Sequence, residues 1–296
     1  MSRFTRVIKG EMWVMVMDCV FKHHVYLCVV STAMLAGLSL ITSHTKAYAQ
    51  QNCPMVDNSR GDVVDEPIVC DGRSGGKGML NTSRGGSGNE IKMEIKMDMH
   101  PSAEAAVTVT GSGTNIIATK KLMVTVTKWS GKNLPVIKVD KGGKLILDGG
   151  VEVDVTGAGV TGMKKVIEVN GGETLMLMGE SKITIKGDGS GGNGKVVGVQ
   201  MGSMEKLVMM RNVTFEGVTE GININGSKEG VMVMGLGMGL EKTTMTVKNS
   251  GSVGIKVEDT GTIDATVMRL KIVGSGTGSG SKGVEFKGTG KGGRWC

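Results

Sequence analysis

The segment Val136–Val155, VIKVDKGGKLILDGGVEVDV, is followed thirty residues later by a similar one, Val166–Ile185, VIEVNGGETLMLMGESKITI. Both segments alternate apolar and polar residues, and glycines lie in the turns between the alternating runs. Strict alternation predicts short β-strands with one buried face and one exposed face. Because a fixed period of 20–50 residues is typical of repeat architectures, the two segments predict a solenoid of similar coils.

An apolar–x–apolar triplet marks seven such units along the chain. The spacings between the last residues of successive triplets are 30, 30, 30, 25, 33 and 29. The triplets are Val107/Val109, Ile137/Val139, Ile167/Val169, Val197/Val199, Ile222/Ile224, Ile255/Val257 and Val284/Phe286. A β-sandwich of short strands is the alternative, but a sandwich needs neither a 30-residue period nor one residue class at equivalent positions.

Two further alternating strands follow the triplet in the second to the sixth unit. The inward pairs predicted for the second strand are Leu145/Leu147, Leu175/Leu177, Leu207/Met209, Val231/Val233 and Ile263/Ala265. Those predicted for the third strand include Val151/Val153/Val155, Ile183/Ile185, Val213/Phe215, Met245/Val247 and Leu270/Ile272. Three strands per unit, with Gly, Asn and Asp at the corners, predict an all-β fold, a right-handed parallel β-helix of about seven rungs.

Polar residues follow successive triplets and are predicted to stack as an outward ladder. They are Asp140, Asn170, Gln200, Asn225 and Glu258. A ladder of mixed Asp, Asn, Gln and Glu is more typical of turn chemistry and backbone capping than of catalysis.

Methionine is abundant, with 23 residues against 4 Phe. Met176, Met178, Met209 and Met210 could be soft-metal ligands, but several occupy strand positions where Leu would serve. Adaptable filling of the core is the simpler interpretation.

Residues 1–49 have the order of a secretory signal peptide. A basic start precedes an apolar run at Val25–Ile41, and Ala47 and Ala49 form an Ala-x-Ala site. This order predicts export, with cleavage after Ala49 and membrane contact only through the signal. An uncleaved anchor is the alternative, although a run of 17 residues is at the short end for a membrane span.

Residues 50–296 contain few of the side-chain patterns that nucleic-acid binding, metal binding or catalysis requires. Removing residues 1–49 takes away five Lys or Arg and two Asp or Glu, so the formal net charge falls from +7 to +4, without a basic cluster. Nucleic-acid binding is therefore not expected. His100 is the one histidine left, so no His pair could ligate a metal. We predict no catalytic, cofactor-binding or metal-binding residue, and no enzymatic activity.

Two glycine-rich motifs partly match known cofactor and metal sites. The run from Gly187 to Gly192 formally fits Gly-x-Gly-x-x-Gly, but more β pattern follows where a dinucleotide site needs a helix. The run from Gly191 to Val199 resembles a calcium nonapeptide, but Lys195 stands where the aspartate belongs.

Residues 50–104 do not fit the repeat and are predicted to form an N-terminal cap that covers the open end of the solenoid. In an exported chain Cys53 and Cys70 are expected to form a disulfide, with two free thiols as the alternative. The tripeptide Arg60, Gly61 and Asp62 lies between these cysteines. It is either a cell-binding motif on a constrained loop or a solvated turn.

The basic leader, the Ala-x-Ala site, the capped start and the glycine-rich repeat together resemble the passenger domain of a classical (type V) autotransporter, pertactin-like in architecture. Phrases such as VDKGGKLILDGG and VEDTGTIDATV are similar to the rungs of such passengers. The resemblance covers the leader and residues 105–290. Members of this family are surface or secreted proteins of Gram-negative bacteria, often adhesins or virulence factors, so it implies a host surface or matrix protein as partner.

The chain departs from that family at its C-terminal end. A translocator barrel would add about a dozen amphipathic strands, and no such pattern is present. The passenger region 105–296 is interpreted as truncated, with a translocator encoded elsewhere or missing. The resemblance implies an adhesin at the cell surface if a translocator is joined, and a periplasmic protein otherwise. A polysaccharide lyase or hydrolase, which needs paired carboxylates, and a non-functional remnant are the alternatives.

Overall fold

A computed structural model describes residues 51–52, 55–56, 63–71, 77–82, 90–127, 133–156, 162–171, 174–186, 195–202, 206–225, 229–234, 243–258, 262–267, 270–274 and 280–287. The chain divides into two compact units, Met1–Tyr48 and Ala49–Cys296, and all described residues belong to the second. The predicted signal peptide with Ala49, the predicted cysteine partner Cys53 and the tripeptide Arg60, Gly61 and Asp62 lie outside the described residues.

The described residues form short strands and one 3₁₀ helix. Up to residue 104 they are β1 (Gln51–Asn52), β2 (Met55–Val56), β3 (Val63–Val64), β4 (Ile68–Cys70), β5 (Lys77–Met79), β6 (Asn81–Thr82), β7 (Glu90–Lys96) and the 3₁₀ helix Met97–Met99. From there to residue 186 they are β8 (Val107–Thr110), β9 (Asn115–Ala118), β10 (Lys121–Thr127), β11 (Ile137–Asp140), β12 (Lys144–Leu147), β13 (Val151–Thr156), β14 (Lys165–Asn170), β15 (Thr174–Leu177) and β16 (Ser181–Lys186). The last ten are β17 (Val197–Met201), β18 (Lys206–Met209), β19 (Val213–Glu216), β20 (Glu220–Ile224), β21 (Glu229–Met234), β22 (Thr243–Lys248), β23 (Val253–Val257), β24 (Thr262–Val267), β25 (Leu270–Gly274) and β26 (Lys282–Phe286).

These strands stack into three long parallel sheets, and β2 pairs separately with β6. Sheet I has the order β1-β4-β8-β11-β14-β17-β20-β23-β26, sheet II the order β5-β9-β12-β15-β18-β21-β24, and sheet III the order β3-β7-β10-β13-β16-β19-β22-β25. From β8 onward, each coil contributes one strand to sheet I, then one to sheet II, then one to sheet III. The predicted fold class is confirmed: the chain is an all-β parallel β-solenoid.

The solenoid begins before the predicted boundary at residue 105. Strand β4 pairs with β8, β5 with β9 and β7 with β10, all in parallel. The number of rungs therefore differs from the predicted seven, because the described strands of sheet I number nine. Strands β4 and β5 escaped the repeat pattern because they have three residues each and lack the Val/Ile triplet. Strand β7 alternates over seven residues, but no Val/Ile triplet precedes it at the repeat spacing. A capping role for residues 50–104 stays a prediction.

The interior consists of apolar columns that run from rung to rung. One column of sheet I contains Val109, Val139, Val169, Met201, Ile224 and Val257, all buried. Burial of each such side chain contributes about 1.5–3 kcal/mol as an upper bound. Ordering the backbone costs about 1–2 kcal/mol per residue and offsets most of that gain. Only stacked rungs can therefore be stable, since one coil would leave its apolar face in water.

Glycines make room for the largest fully buried side chain, Phe215 of β19. Gly198, Gly221 and Gly254 occupy the second position of β17, β20 and β23. A Cβ atom on Gly198 would lie 2.4 Å from two ring carbons of Phe215 and 2.6 Å from the carbonyl oxygen of Gly221. These glycines are thus required by the close approach of the ring and of neighbouring backbone.

The structure corrects the predicted register in two places. In the fourth unit Ile167 pairs with Val199 and Val169 with Met201, so the triplet is Val199/Met201 and not Val197/Val199. In β21 the inward pair is Met232/Met234, both fully buried, while Val231 faces outward and is 37% exposed. Both errors gave preference to β-branched residues where methionine fills the core. The shift in the fourth unit is two residues and keeps the same face inward, whereas the one-residue shift in β21 moves every side chain to the other face.

Candidate functional site

The outward-facing residues at the middle of sheet I form one polar column. In register, these residues are Thr108, Lys138, Glu168, Gln200, Asn223, Lys256 and Glu285. Asp140 and Asn170 pair as predicted for the outward ladder, one position further along the strands. Gln200 does not belong to that ladder, because it pairs with Glu168 and not with Asn170. The cause is the displaced triplet of the fourth unit.

Five residues around this column form a charged cluster across three rungs. Lys195 Nζ lies 2.9 Å from Glu220 Oε1 and 2.9 Å from Glu258 Oε1. Lys256 Nζ lies 3.0 Å and 2.8 Å from the same two oxygen atoms. The Asn223 amide donates a hydrogen bond to Glu220 and another, of 3.0 Å, to Glu258 Oε1. Each carboxylate is therefore held by two cations and one amide.

The positions of these residues follow from the coil. Asn223 and Lys256 are outward residues of β20 and β23, Glu220 begins β20, and Glu258 directly follows β23. Lys195 precedes β17 on the adjacent rung and reaches across to both carboxylates. Since parallel strands stack about 4.8 Å apart, long side chains on neighbouring rungs can converge on one point.

The centre of the charged cluster is withdrawn from water. The side chains of Glu220 and Lys256 are 7% and 9% exposed, while those of Lys195 and Glu258 are 47% and 34% exposed. A buried charge is costly unless it is paired and hydrogen-bonded. Glu220 and Lys256 are therefore tolerated because each satisfies the other, and Lys195 forms the solvent-facing side of the cluster.

Hydrogen bonding keeps Glu258 and Lys256 ionised. Hydrogen bonds from Lys256, then from Lys195 and Asn223, lower the pKa of Glu258 to about 2. Burial by itself would lower the pKa of Lys256, but hydrogen bonds with Glu258 and Glu220 outweigh that effect and raise it. At neutral pH Glu258 is a carboxylate and Lys256 an ammonium group. Neither is poised to donate or accept a proton in catalysis.

We expect acid to remove the stabilising contribution of Glu258. Because its folded pKa of about 2 lies below the ordinary value of about 4.3, this contribution is present above pH ~4.3 and is lost as the pH falls towards 2. Denaturant unfolding at several pH values, with wild type and Glu258→Gln compared, measures the effect. The difference in free energy of unfolding should shrink as the pH falls, and a difference independent of pH would contradict it.

A smaller charged group lies towards the other end of sheet I. Lys138 forms ion pairs with Glu104 and with Asp140, the latter with 2.9 Å between Nζ and Oδ2. Burial alone would lower the pKa of Lys138, but its hydrogen bonds to Glu104 and Asp140 outweigh it and raise the pKa. Asp140 Oδ1 and Thr108 Oγ1 are buried without a hydrogen-bond partner in the described part of the chain.

The structure describes some, but not all, of the cysteines and methionines that the sequence analysis named. Cys70 is buried and disulfide-bonded, but pairing with Cys53 stays a prediction, because Cys53 is outside the described residues. Met209 fills the core as predicted. The core-filling interpretation is wrong for Met176, Met178 and Met210, which lie half-buried on the outside of the solenoid. The physical reason is alternation, since these three residues occupy outward positions in or beside their strands.

Sequence reasoning missed Lys195, Glu220, Asn223 and Lys256. Asn223 and Lys256 are the middle residues of two triplets, a position that the pattern treats only as exposed. Listing those middle residues in the corrected register would have placed Gln200, Asn223 and Lys256 in one column. The packing of Lys195 against Glu258, 63 residues away, has no sequence signal.

In the described part of the chain, no group of three or more His, Cys, Asp or Glu side chains is arranged to hold a metal ion. None of its helical structure has the length and apolarity that a membrane span requires. No known protein family, curated protein or solved structure gives a significant match to this chain.

Proposed function

We propose that this protein is an exported, non-enzymatic passenger of the autotransporter type, which uses a rigid β-solenoid to present loops to a host surface or matrix protein. The observation that carries the proposal is the continuous register of three parallel sheets over successive rungs. Such stacking gives a stiff scaffold whose turns accept insertions at little cost, and binding functions concentrate in loops. The signal-peptide order of residues 1–49 supports export.

The charged cluster gives a specific reason to weigh a polysaccharide-active enzyme as the second candidate. Because both lysines lie within 3.0 Å of both carboxylates, Glu220 Oε1 and Glu258 Oε1 are no more than about 5.8 Å apart. This upper limit is compatible with the separation of carboxylates in retaining glycosidases, about 5–5.5 Å. The low pKa of Glu258 suits a nucleophile and not a general acid, so Glu220 would have to be the acid. Glu220 is buried against the ammonium groups of Lys195 and Lys256, which favour its carboxylate form and argue against this candidate.

Incubation with polysaccharides distinguishes the two candidates. The passenger proposal expects no loss of viscosity and no new reducing ends or unsaturated products. Product formation that disappears in both Glu220→Gln and Glu258→Gln would favour the enzyme.

Cell fractionation tests the passenger proposal. Intact cells and fractions would be probed on immunoblots with an antibody to residues 105–290, with and without external protease, and a periplasmic protein would serve as the protected control. We expect a band that external protease removes from intact cells. A band shielded with the periplasmic control would contradict surface display and would favour a remnant or a periplasmic product.

The tripeptide at Arg60, Gly61 and Asp62 offers a separate test of host binding. Host cells would be allowed to attach to wild-type protein and to Asp62→Glu, which keeps the charge but lengthens the side chain. Attachment lost in the variant would assign binding to this loop. Equal attachment would assign it to other loops of the solenoid.

A further inference from the structure

The outer face of sheet II carries an apolar column. In register, its members are Ile117, Ile146, Met176, Val208 and Val233. All alternate with inward residues of β9, β12, β15, β18 and β21, and all except Val208 are partly exposed. With a rung spacing of about 4.8 Å, the column from Ile117 to Val233 is about 19 Å long.

Further apolar residues widen this column over three rungs. Met178 and Met210 directly follow β15 and β18 and are half-buried, and their backbone amides stack rung on rung. Val231 also faces outward in β21, two residues before Val233. Methionine is common at adaptable binding surfaces because its side chain is flexible and polarisable. We call this set of residues, from Ile117 to Val233, the sheet II stripe.

The other two sheets show that the solenoid does not require an apolar exterior. The equivalent column of sheet I is polar throughout. The outer face of sheet III carries mainly charged residues and threonines, with single apolar residues such as Met123 and Val273 between them. Its ion pairs include Lys121 with Glu152 at 2.6 Å and Lys186 with Asp154 at 3.9 Å. A contiguous apolar stripe on one face alone is typical of an interaction surface.

Charges of opposite sign flank the sheet II stripe. Lys144 and Lys206 lie at the starts of β12 and β18, Asp148 directly follows β12, and Glu180 lies in the turn after β15, directly before β16. Asp148, Glu180 and Lys206 are exposed and Lys144 is partly exposed. Within the described residues none of the four takes part in an ion pair. The edge at the strand starts therefore carries Lys144 and Lys206, and the edge at the strand ends carries Asp148 and Glu180 on two rungs and the exposed Arg211 on the next.

We propose that the sheet II stripe is the contact surface for a second copy of this chain, packed face to face. The spacing of the stripe favours this partner. A helix repeats every 5.4 Å and an extended strand presents one face about every 6.8 Å, so both drift out of step with rungs 4.8 Å apart. A second solenoid has the same spacing, and two such sheets pack about 10 Å apart.

The flanking charges select the orientation of the two copies. A two-fold axis parallel to the solenoid axis places the strand starts of one copy over the strand ends of the other. Lys144 then faces Asp148 of the second copy. A two-fold axis along the strands would oppose Lys144 to Lys144, so charge complementarity favours parallel solenoids. This inference does not depend on the proposed function.

Sedimentation equilibrium of the full chain tests the contact. We expect a monomer–dimer equilibrium, and we expect the double variant Ile146→Gln and Met176→Gln to weaken association more than about tenfold, which corresponds to about 1.4 kcal/mol. Met123→Gln, which changes an outward residue of sheet III, is the matched control and should associate as wild type does. Unchanged circular dichroism would establish that the variants fold.

A charge exchange tests the orientation. Asp148→Lys should weaken association, and adding Lys144→Asp to it should restore association, because the exchanged charges again meet their opposites. A wild-type chain that stays monomeric at high micromolar concentration would overturn the proposal. So would a dimer that the stripe variants leave unchanged, or a charge exchange that fails to restore association.

Discussion

Gly198→Ala is expected to destabilise the solenoid severely, although it adds a single methyl group. The added carbon would lie 2.4 Å from ring carbons of Phe215 and 2.6 Å from the carbonyl oxygen of Gly221. Phe215 is fully buried and the oxygen belongs to the adjacent rung, so neither can move without disturbing the sheet. Overpacking of this kind costs about 3 kcal/mol. Denaturant unfolding followed by circular dichroism measures the loss.

Gly283→Ala is the matched control. Gly283 occupies the same position in β26, but a Cβ atom there would meet no atom of the described residues within 4 Å. Its free energy of unfolding should stay within about 0.5 kcal/mol of wild type, as for most surface changes. Equal losses in the two variants would mean that general strand propensity, and not the packing of Phe215, determines the effect.

Lys256→Met should also be strongly destabilising, because it leaves Glu220 buried with half of its cationic partners removed. Breaking a buried ion pair typically costs about 3–5 kcal/mol. Lys195 remains 2.9 Å from both carboxylates, so we expect a loss near 3 kcal/mol. Urea unfolding at neutral pH and low salt provides the measurement.

Two further variants distinguish the stability cost of breaking a buried ion pair from that of breaking an ion pair at the surface. Lys121→Met breaks the more exposed pair with Glu152 and should cost less than about 1 kcal/mol. Combining Lys256→Met with Glu220→Gln should recover part of the loss, since the buried uncompensated charge is gone. A Lys256→Met variant as stable as Lys121→Met would show that the charged cluster contributes nothing specific.

The fold class could be predicted from the sequence because every rung buries equivalent positions against its neighbours. A buried column requires the same residue class at equivalent positions, and the pairs of Val and Ile at residues 107–109, 137–139 and 167–169 display that requirement directly. The predicted register was wrong where methionine occupies the inward position, as at Met201, Met232 and Met234. Methionine lacks the β-branched signature by which strands are recognised.

The candidate site was less accessible to sequence reasoning. The charged cluster depends on side chains that meet across rungs of unequal length, so no constant spacing relates Lys195, Glu220 and Glu258. The sheet II stripe was hidden for a different reason. Ile117, Ile146 and Val208 sit between inward apolar residues, and a run such as Leu145–Leu147 has no alternation to mark the middle residue as exposed.

Spin-label distances along one outer column of sheet III would test the stacked register itself. Met123→Cys would be combined in turn with Lys182→Cys, Thr214→Cys and Thr246→Cys, all at partly exposed positions, with cysteines outside the predicted Cys53–Cys70 pair replaced by serine. These positions lie two, three and four rungs away in register. We expect separations that increase by about 4.8 Å per rung, near 10, 14 and 19 Å. Separations that do not increase with the number of rungs would contradict a parallel solenoid.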